Sequence, residues 1–216
     1  MKKLITANRY FLLPYLFFLI TCGILLAVYS KPELHIISNK NYSHFFDHFF
    51  KYATWLGNGA WIPVLFIILL FVKFRFAFAF LAGSLLAALI VNLFKKVLLH
   101  NMYRPTKYFE LFETYKLHLV EGVKTHSLQS FPSGHTATAF SLFFMLALIT
   151  KNNSLKLTFF LIAVLVAYSR VYLSQHFMMD ITAGSITGVV FTFVAFVWFG
   201  KLNKTWLENS ILRKYK

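Results

Sequence analysis

Acidic residues are scarce in this sequence, which contains 7 Asp and Glu residues in a total of 216. Charged residues of both signs amount to 13% of the chain, whereas a soluble domain usually has about 25%. Cysteine occurs once, at Cys22, so an internal disulfide bond is excluded. Hydrophobic residues, by contrast, make up 58% of the chain and aromatic residues 19%. This composition excludes a typical soluble domain, and it excludes a disordered chain because disorder requires low hydrophobicity.

The hydrophobic residues are gathered in six runs that contain no charged side chain. Most of these runs approach or reach the roughly 20 residues with which a helix crosses a hydrocarbon core of about 30 Å. The fifth run is shorter, and we expect Lys156 and Arg170 at its ends to extend it by reaching the two membrane interfaces. The sequence therefore predicts an all-α integral membrane bundle of six transmembrane helices, in a single membrane-embedded domain over residues 1–216. The runs are Tyr10–Ser30, Tyr52–Val72, Phe76–Phe94, Ser127–Thr150, Leu157–Ser169 and Ile181–Gly200.

Basic residues lie mostly between these runs, with 22 Lys and Arg residues giving a net charge of +15. The positive-inside rule and anionic lipid head groups account for this excess, so no nucleic-acid partner is expected. The chain ends, and the loops on their side, carry basic residues at the higher density. We therefore expect both termini in the cytoplasm and the chain in the cytoplasmic (inner) membrane. The segments Lys31–Lys51 and Lys95–His126 then face the periplasm or exterior.

The segment Tyr42–Ala53 shows a helical pattern of its own. Phenylalanines recur at i, i+3 and i+4 spacing, while His44, Asp47, His48 and Lys51 occupy the other side. This pattern predicts a short amphipathic interfacial helix on the outer membrane surface. His44 and His48 also have the spacing of metal ligands, but the polar face of such a helix explains them without a metal.

The first of three polar clusters lies where the third hydrophobic run ends. Lys96 closes that run, and Arg104 follows it in the next polar segment. Pro105 restricts Arg104 to an extended backbone and is expected to stop any helix there. Two cations in this arrangement can bind an anion, although interfacial anchoring accounts for them more simply when the cluster is taken alone.

The second cluster is Pro132–His135, at the start of the fourth run. Proline suits the first turn of a helix, and Gly134 allows close approach of a ligand to the backbone. The free N–H groups of a helix N-terminus form an anion site. Ser133 can add a hydroxyl donor, and His135 can deliver a proton. A helix cap with an incidental histidine is the alternative interpretation.

The third cluster, Ser169–Asp180, joins the fifth and sixth runs. If this stretch is helical, His176 and Asp180 lie on one face, four residues apart. A carboxylate bonded to one ring nitrogen fixes the tautomer, which leaves the other nitrogen able to attack an electrophile. A structural Asp–His pair is the alternative.

Together the clusters indicate phosphoryl transfer without a metal. Cations and a helix N-terminus form a cradle for a phosphate, one oriented histidine can act as the nucleophile, and a second can act as the general acid. No set of residues has zinc spacing, and there are too few acidic residues for a two-metal site. Neither a metal nor another cofactor is expected.

The three clusters resemble the signature of the type 2 phosphatidic acid phosphatase family, whose site is related to that of vanadium haloperoxidases. The family pattern is Lys-x6-Arg-Pro, then Pro-Ser-Gly-His, then Ser-Arg-x5-His-x3-Asp. The second motif is present at Pro132–His135, and the third is complete from Ser169 to Asp180. The first departs by one residue, since seven residues separate Lys96 from Arg104. Lys96 is nevertheless its best match, and the motifs together lie within residues 95–180.

This resemblance implies specific roles. His176 would attack phosphorus and form a phosphohistidine, with Asp180 holding the ring in orientation. His135 would protonate the leaving oxygen, and water would then hydrolyse the intermediate. The phosphate oxygens would be held by Lys96, Arg104, Ser133, Gly134 and Arg170.

The expected function is thus a metal-independent lipid phosphatase on the outer face of the membrane, acting on a lipid A phosphate or on undecaprenyl pyrophosphate. Phosphatidylglycerol phosphate and phosphatidate are alternative substrates. A transporter of anionic lipid, a vanadate-using haloperoxidase and a non-catalytic family member are alternatives of other classes. Oligomeric state is left open by the sequence.

Charged residues of the outward segment allow two interpretations. A solvated charged loop explains them, and gating of head-group entry is the alternative. These residues alternate in sign: Lys107, Lys116 and Lys124 with Glu110, Glu113 and Glu121.

Overall fold

The computed structural model describes residues 1–213, so Lys214, Tyr215 and Lys216 lie outside the described part of the chain. Within residues 1–213 the chain is helical and has no β-strand, which confirms the predicted all-α class. A π-helical turn, Phe94–Leu98, extends the sixth helix. The α-helices are α1 Lys2–Ala7, α2 Arg9–Val28, α3 Lys31–Lys40, α4 His44–Ala53, α5 Trp61–Val72, α6 Phe74–Leu93, α7 Pro105–Phe112, α8 Gly134–Ile149, α9 Asn153–Tyr172 and α10 Met178–Lys201.

Four helices of the described chain are long and apolar enough to cross a membrane. They are α2, α6 together with its π-helical turn, α9 and α10. A fifth crossing arises if the segments His44–Gly57 and Trp61–Val72, which meet at 56°, form one bent span. The remaining apolar helix, α8, is shorter, with 16 residues. The count of six spans therefore stays a prediction.

Two predicted runs contain non-helical backbone that the sequence pattern did not indicate. Tyr52–Val72 is interrupted at Asn58, whose backbone is extended and whose side-chain oxygen accepts a hydrogen bond from the Ala60 N–H at 2.9 Å. The run Ser127–Thr150 becomes helical only at Gly134. Absence of charge marks burial or lipid contact, but it does not mark where a helix begins.

Helix α8 forms the centre of the fold. It packs against α6, α9 and α10, and 11 of its 16 residues are buried. Glycines bring α10 into close contact with it: a Cβ on Gly184 would lie 2.5 Å from the Ser133 carbonyl oxygen, and one on Gly188 would lie 2.4 Å from that of Ala137. Small residues allow helix backbones to approach in this way. The N-terminal ends of α8 and α10 are thereby held side by side.

Helices α3 and α4 pack against α9. A capping box begins α3, in which the Ser30 N–H donates to Glu33 Oε2 at 2.8 Å. The Ser43 hydroxyl caps α4 by accepting from the Phe46 N–H at 3.3 Å, and Phe50 packs its ring 4.6 Å from that of Tyr172. A helix is thus present in the predicted segment Tyr42–Ala53, and its position at a membrane interface stays a prediction.

The side chains of Lys156 and Arg170 do not extend outward as expected, since both residues are buried, at 3% and 6% exposure. Lys156 Nζ donates to the Ala7 carbonyl at 2.5 Å and to Asn8 Oδ1 at 2.8 Å. Oxygen acceptors inside the protein compensate these charges for lost hydration. Both ends of α9 are thereby fixed to neighbouring segments.

Candidate active site

Separate segments of the chain meet where α8 and α10 begin. The Ser133 N–H donates to the Asp180 carbonyl at 2.9 Å, which joins the N-terminus of α8 to the first turn of α10. His135 is the second residue of α8. The turn between α9 and α10 carries His176, and both histidines line one cavity of about 410 Å³. The second and third sequence clusters therefore converge on a single space.

This cavity is strongly basic. Among residues 1–213, no Asp or Glu lines the cavity. Arg104 and Arg170, both expected from sequence, belong to the wall. Its full lining is Lys51, Tyr52, Thr54, Trp55, Lys95, Arg104, Gly122, Val123, Lys124, His126, Gly134, His135, Arg170, Leu173, Gln175 and His176.

His176 is held by a buried carboxylate. Its Nδ1 atom lies 3.3 Å from Asp180 Oδ2, and that oxygen also accepts from the Ser130 hydroxyl at 2.5 Å and from the Phe177 N–H at 2.9 Å. Both His176 and Asp180 are 1% exposed. The carboxylate thus favours the tautomer with a proton on Nδ1, which leaves the Nε2 lone pair free. Sequence reasoning missed Ser130, which lies just before the second motif without belonging to it.

Burial lowers the pKa of His176 well below its usual range, although the hydrogen bond that its Nδ1–H donates to Asp180 acts in the opposite direction. The ring is therefore neutral at neutral pH. A neutral imidazole with one free nitrogen has the protonation state that a nucleophile requires.

The turn before His176 is tightly wound. The N–H groups of Gln175 and His176 both donate to the Arg170 carbonyl, at 2.9 and 3.0 Å. Ser174 adopts a left-handed backbone with φ of 51°, and its hydroxyl lies 3.1 Å from His35 Nε2. Such a conformation costs free energy in a residue other than glycine, so contacts with α3 help to hold it.

Gln175 connects the two arginines of the cavity, a role that the sequence did not reveal. Arg104 Nη1 donates to the Gln175 carbonyl at 3.3 Å, and Arg170 Nη2 donates to the Gln175 side-chain oxygen at 3.4 Å. Arg170 Nη1 also donates to Thr54 Oγ1 at 2.5 Å, whereas its buried Nε atom has no hydrogen-bond partner within residues 1–213. An unpaired buried donor beside a cavity is available to a ligand.

The lysine in the cavity wall is Lys95, whereas the residue expected from the sequence was Lys96. Lys96 is exposed and is not part of the wall. Both residues lie in the π-helical turn Phe94–Leu98, and such a turn accommodates one extra residue in a helix. Eight residues separate Lys95 from Arg104, two more than in the family pattern, so the π-helical turn accounts for at most one of the two extra residues.

The backbone conformation of Arg104 agrees with the prediction, whereas the position of Pro105 does not. Arg104 has an extended backbone, with ψ of 162°, as the following proline requires. Pro105 does not end a helix, however, but occupies the first position of α7. Proline is well suited to that position because its missing N–H would have no helical partner there.

Ser133 and Gly134 differ in their access to the cavity. Gly134 lines it, whereas Ser133 is fully buried and outside its wall. The Ser133 hydroxyl accepts from the Thr136 N–H at 3.4 Å and from the Thr136 hydroxyl at 3.0 Å, so it caps α8. The structure therefore shows Ser133 in the capping position that the sequence left open as an alternative.

No group of three or more His, Cys, Asp or Glu side chains placed to hold a metal occurs within residues 1–213. His44 and His48 adjoin each other, with ring centroids 4.8 Å apart, but no third such ligand joins them in that part of the chain. The charged groups at the cavity are instead the cations described above.

The PAP2 superfamily model matches residues 76–204, which include all three sequence clusters and the three histidines of the cavity, His126, His135 and His176. The chain belongs to the PAP2 superfamily. It is accordingly a PAP2-type membrane phosphatase with several membrane-spanning helices. No curated protein matches the chain in sequence.

Two solved structures share this fold. The crystal structure of Aquifex aeolicus LpxE superposes with a TM-score of 0.67 at 24% identity, covering 79% of this chain and 97% of that one. The first transmembrane PAP2-type phosphatidylglycerolphosphate phosphatase from Bacillus subtilis superposes with a TM-score of 0.62 at 22% identity, covering 94% and 99%. At these identities the likeness supports the arrangement of helices rather than a shared substrate.

Proposed function

We propose that this PAP2 protein hydrolyses a phosphate from a membrane lipid, without a metal and through a phosphohistidine intermediate. The observation that carries the proposal is the joint presence of His135 and His176 in one basic cavity, with Asp180 behind His176. A nucleophile and a proton donor must flank the same phosphorus atom, and this arrangement allows it.

In the proposed reaction, the Nε2 atom of His176 attacks phosphorus while the bond to the leaving oxygen breaks. His135 gives its proton to that oxygen. His135 then takes a proton from water, which attacks the phosphohistidine and returns His176 to its free state. Asp180 keeps the proton on Nδ1 before attack and stabilises the positive charge that forms on the ring.

Cationic side chains and a backbone N–H group at the start of α8 hold the phosphate oxygens in this proposal. We assign this role to Arg104, Arg170 and Gly134, as the family motif implies, and to Lys95 in place of Lys96, because Lys95 lies in the cavity wall. Ser133 is assigned to capping α8 rather than to direct phosphate contact.

Lys95→Ala should lower kcat/KM for phosphate release by about 10- to 100-fold, because it removes a charged hydrogen bond to phosphate. Lys96→Ala, a change of the same size and charge one residue away, should lower kcat/KM less than twofold. The two variants are compared in one detergent assay of phosphate release. The reverse order of effects would restore the assignment to Lys96.

A lipid substrate is supported by an apolar groove beside the cavity. The groove has a volume of about 740 Å³, and Tyr52 lines both spaces. A lipid with its phosphate in the cavity could therefore lay part of its acyl chain across Tyr52 into the groove. The groove is lined by His44, Phe45, His48, Phe49, Tyr52, Ala53, Leu56, Ile162 and Leu165.

The proposed topology has six spans in the cytoplasmic membrane, with both termini in the cytoplasm and α4 at the outer interface. It is supported by the location of the cavity, whose wall draws on the two segments expected to face outward, through Lys51 and Lys124. Residues 1–216 then form one domain with its active site on the periplasmic or exterior side.

Candidate substrates remain those expected from the sequence, namely a lipid A phosphate or undecaprenyl pyrophosphate. Phosphatidylglycerol phosphate and phosphatidate are the alternatives, and the Bacillus subtilis neighbour is named for the first of these two. The neighbour named LpxE has the higher TM-score, but its fold alone does not select a substrate.

Purified protein in detergent should release phosphate from at least one of these four lipids, and excess EDTA should leave the rate unchanged. The reason is that the proposed nucleophile and cations are all side chains. Phosphate release is measured by colorimetry with and without EDTA. Activity that disappears with EDTA and returns with a divalent cation would contradict the mechanism, and lipid flux in vesicles without phosphate release would indicate a transporter.

A further inference from the structure

The cavity contains more positive groups than one phosphate monoester requires. A monoester carries a charge of about −1.5 to −2 at neutral pH, and Lys95, Arg104 and Arg170 already provide three cations around the two histidines. Lys51 and Lys124 also line the cavity, together with His126. The proposed reaction gives no role to these last three residues.

The three extra residues come from the two outward segments. Lys51 lies in the last turn of α4, whereas Lys124 and His126 belong to the loop that follows α7. Lys51 Nζ donates to the backbone carbonyl of Glu121 at 2.8 Å, which holds the loop against α4. Gly122 leaves room for this contact, since its φ is 73° and a Cβ there would lie 2.7 Å from Lys51 Nζ.

The position of Lys124 is fixed by the active site itself. Its carbonyl accepts a hydrogen bond from Gln175 Nε2 at 2.8 Å. The same Gln175 side chain contacts Arg104 and Arg170 through its oxygen, at 3.4 Å in each case. One glutamine therefore connects the backbone at Lys124 to both arginines, so this part of the loop has a defined place beside the phosphate site.

Nearby carboxylates do not neutralise these cations. Asp47 accepts hydrogen bonds from Tyr172 at 2.6 Å and from His118 at 3.0 Å, outside the cavity wall. The carboxylate of Glu110 is paired with Lys107, with 2.9 Å between Oε1 and Nζ. Within residues 1–213, the Lys124 ammonium has no hydrogen bond or ion pair. Partial burial and the surrounding cations, Arg104 and Lys124 among them, lower the pKa of His126, which is consistent with an uncompensated positive field.

We propose that Lys51, Lys124 and His126 form a second anionic subsite, which binds a second phosphate group on the same lipid substrate. The inference rests on the proposed function for the first phosphate. The cavity volume of about 410 Å³ falls within the range of about 300–1,000 Å³ that holds ligands of drug size, which leaves room beyond a single phosphate. The second phosphate belongs either to a diphosphate or to a separate position of the head group.

Lys124→Ala should reduce kcat/KM for a lipid with two phosphates about tenfold more than for a monophosphate with the same acyl chains. The panel consists of a lipid monophosphate, a lipid diphosphate, and a lipid with phosphates on two separate carbons. Lys124→Arg, which keeps the charge, should restore the preference. If kcat/KM falls only for the diphosphate, the second phosphate binds next to the first. If it falls only for the lipid with phosphates on two separate carbons, the second phosphate binds farther away. Either result supports the subsite.

Lys116→Ala is the matched control, because it removes the same charge from the same loop at an exposed residue outside the cavity wall. It should leave all three values of kcat/KM unchanged. Equal losses for all three lipids in both variants would mean general attraction of anionic lipid, and they would overturn the subsite. Unchanged ratios in Lys124→Ala would also overturn it.

If no lipid is hydrolysed, the proposed function fails, and binding measurements decide on the subsite separately. Calorimetry then compares orthophosphate with inorganic diphosphate and with a soluble bisphosphate whose two phosphates lie on separate carbons. The subsite predicts that at least one of the two doubly phosphorylated probes binds about tenfold more tightly than orthophosphate, a preference that Lys124→Ala removes. Equal affinities for all three probes in the wild-type protein, or a preference that survives the substitution, would overturn it.

Discussion

His176→Ala is expected to lower kcat for phosphate release by about ten-thousandfold or more, because it removes the nucleophile. The Nε2 atom of His176 is the ring nitrogen left free by the bond between Nδ1 and Asp180. No other histidine of the cavity is paired with a carboxylate in the described chain, since His126 and His135 have no hydrogen-bond partner there for their side chains. Neither can therefore replace His176 in both protonation state and orientation.

The measurement combines steady-state turnover with rapid quenching under alkaline conditions, which preserves phosphohistidine. Radiolabelled substrate should label the wild-type protein and leave His176→Ala unlabelled. His100→Ala serves as the control, because His100 is exposed and lies outside the cavity wall. Size-exclusion profiles in detergent show whether each variant is folded. A folded His176→Ala protein with more than a tenth of wild-type turnover would refute the nucleophile assignment.

His135→Gln should lower kcat by about 100- to 10,000-fold for lipid substrates, since it removes the general acid. The effect should depend on the leaving group. A nitrophenyl phosphate ester leaves as a stable anion that needs no proton. In a single turnover, the first step, which releases nitrophenolate and forms the phosphohistidine, should therefore slow less than about tenfold in the same variant. Later turnovers should slow for both substrates, because His135 also takes a proton from the attacking water. His176→Ala should be equally inactive on both types of substrate, because every substrate requires the nucleophile.

Comparing the two substrates distinguishes the proton donor from a residue that only positions phosphate. A positioning role for His135 predicts equal losses for the lipid and the nitrophenyl ester in this first step, and the losses compared here are those of single-turnover rates. Thr138→Ala is a suitable control, because Thr138 lies one turn further along α8 and lines only the adjoining cavity of about 230 Å³. It should change neither rate by more than about threefold. Equal losses in His135→Gln would remove the general-acid assignment but leave that of His176 intact.

Much of the candidate site was predictable because its residues occupy short motifs with strong local meaning. The spacing of His176 and Asp180 predicted a contact on one helix face. The structure places these side chains 3.3 Å apart, although His176 lies in the turn before α10 and only Asp180 is helical. The Pro132–His135 motif predicted the start of a helix near a ligand site, and α8 begins at Gly134. Such features depend on a few neighbouring residues, so sequence alone contains the required information.

The residues that were missed or shifted depend on contacts between distant segments. Gln175 connects Arg104 with Arg170, yet nothing in its own neighbourhood distinguishes it from an ordinary loop glutamine. Lys95 rather than Lys96 lines the cavity, and both residues lie in a π-helical turn, in which side-chain directions differ from those of a regular α-helix. Helical periodicity assumes regular geometry, so it cannot predict such a turn.

By itself, the sequence indicated that this protein is helical and membrane-embedded, because its composition reflects those properties. The spacing of its motifs identified histidines and cations as the candidate catalytic groups. Tertiary structure decided which cations share a space with the histidines. The cavity is lined by Lys51, Lys95 and Lys124, which belong to three separate segments of the chain. The physical reason is that cavity walls are made by long-range packing, here of α4, the π-helical turn after α6 and the loop after α7. Hydrophobic patterning along one segment does not encode which other segment it will meet.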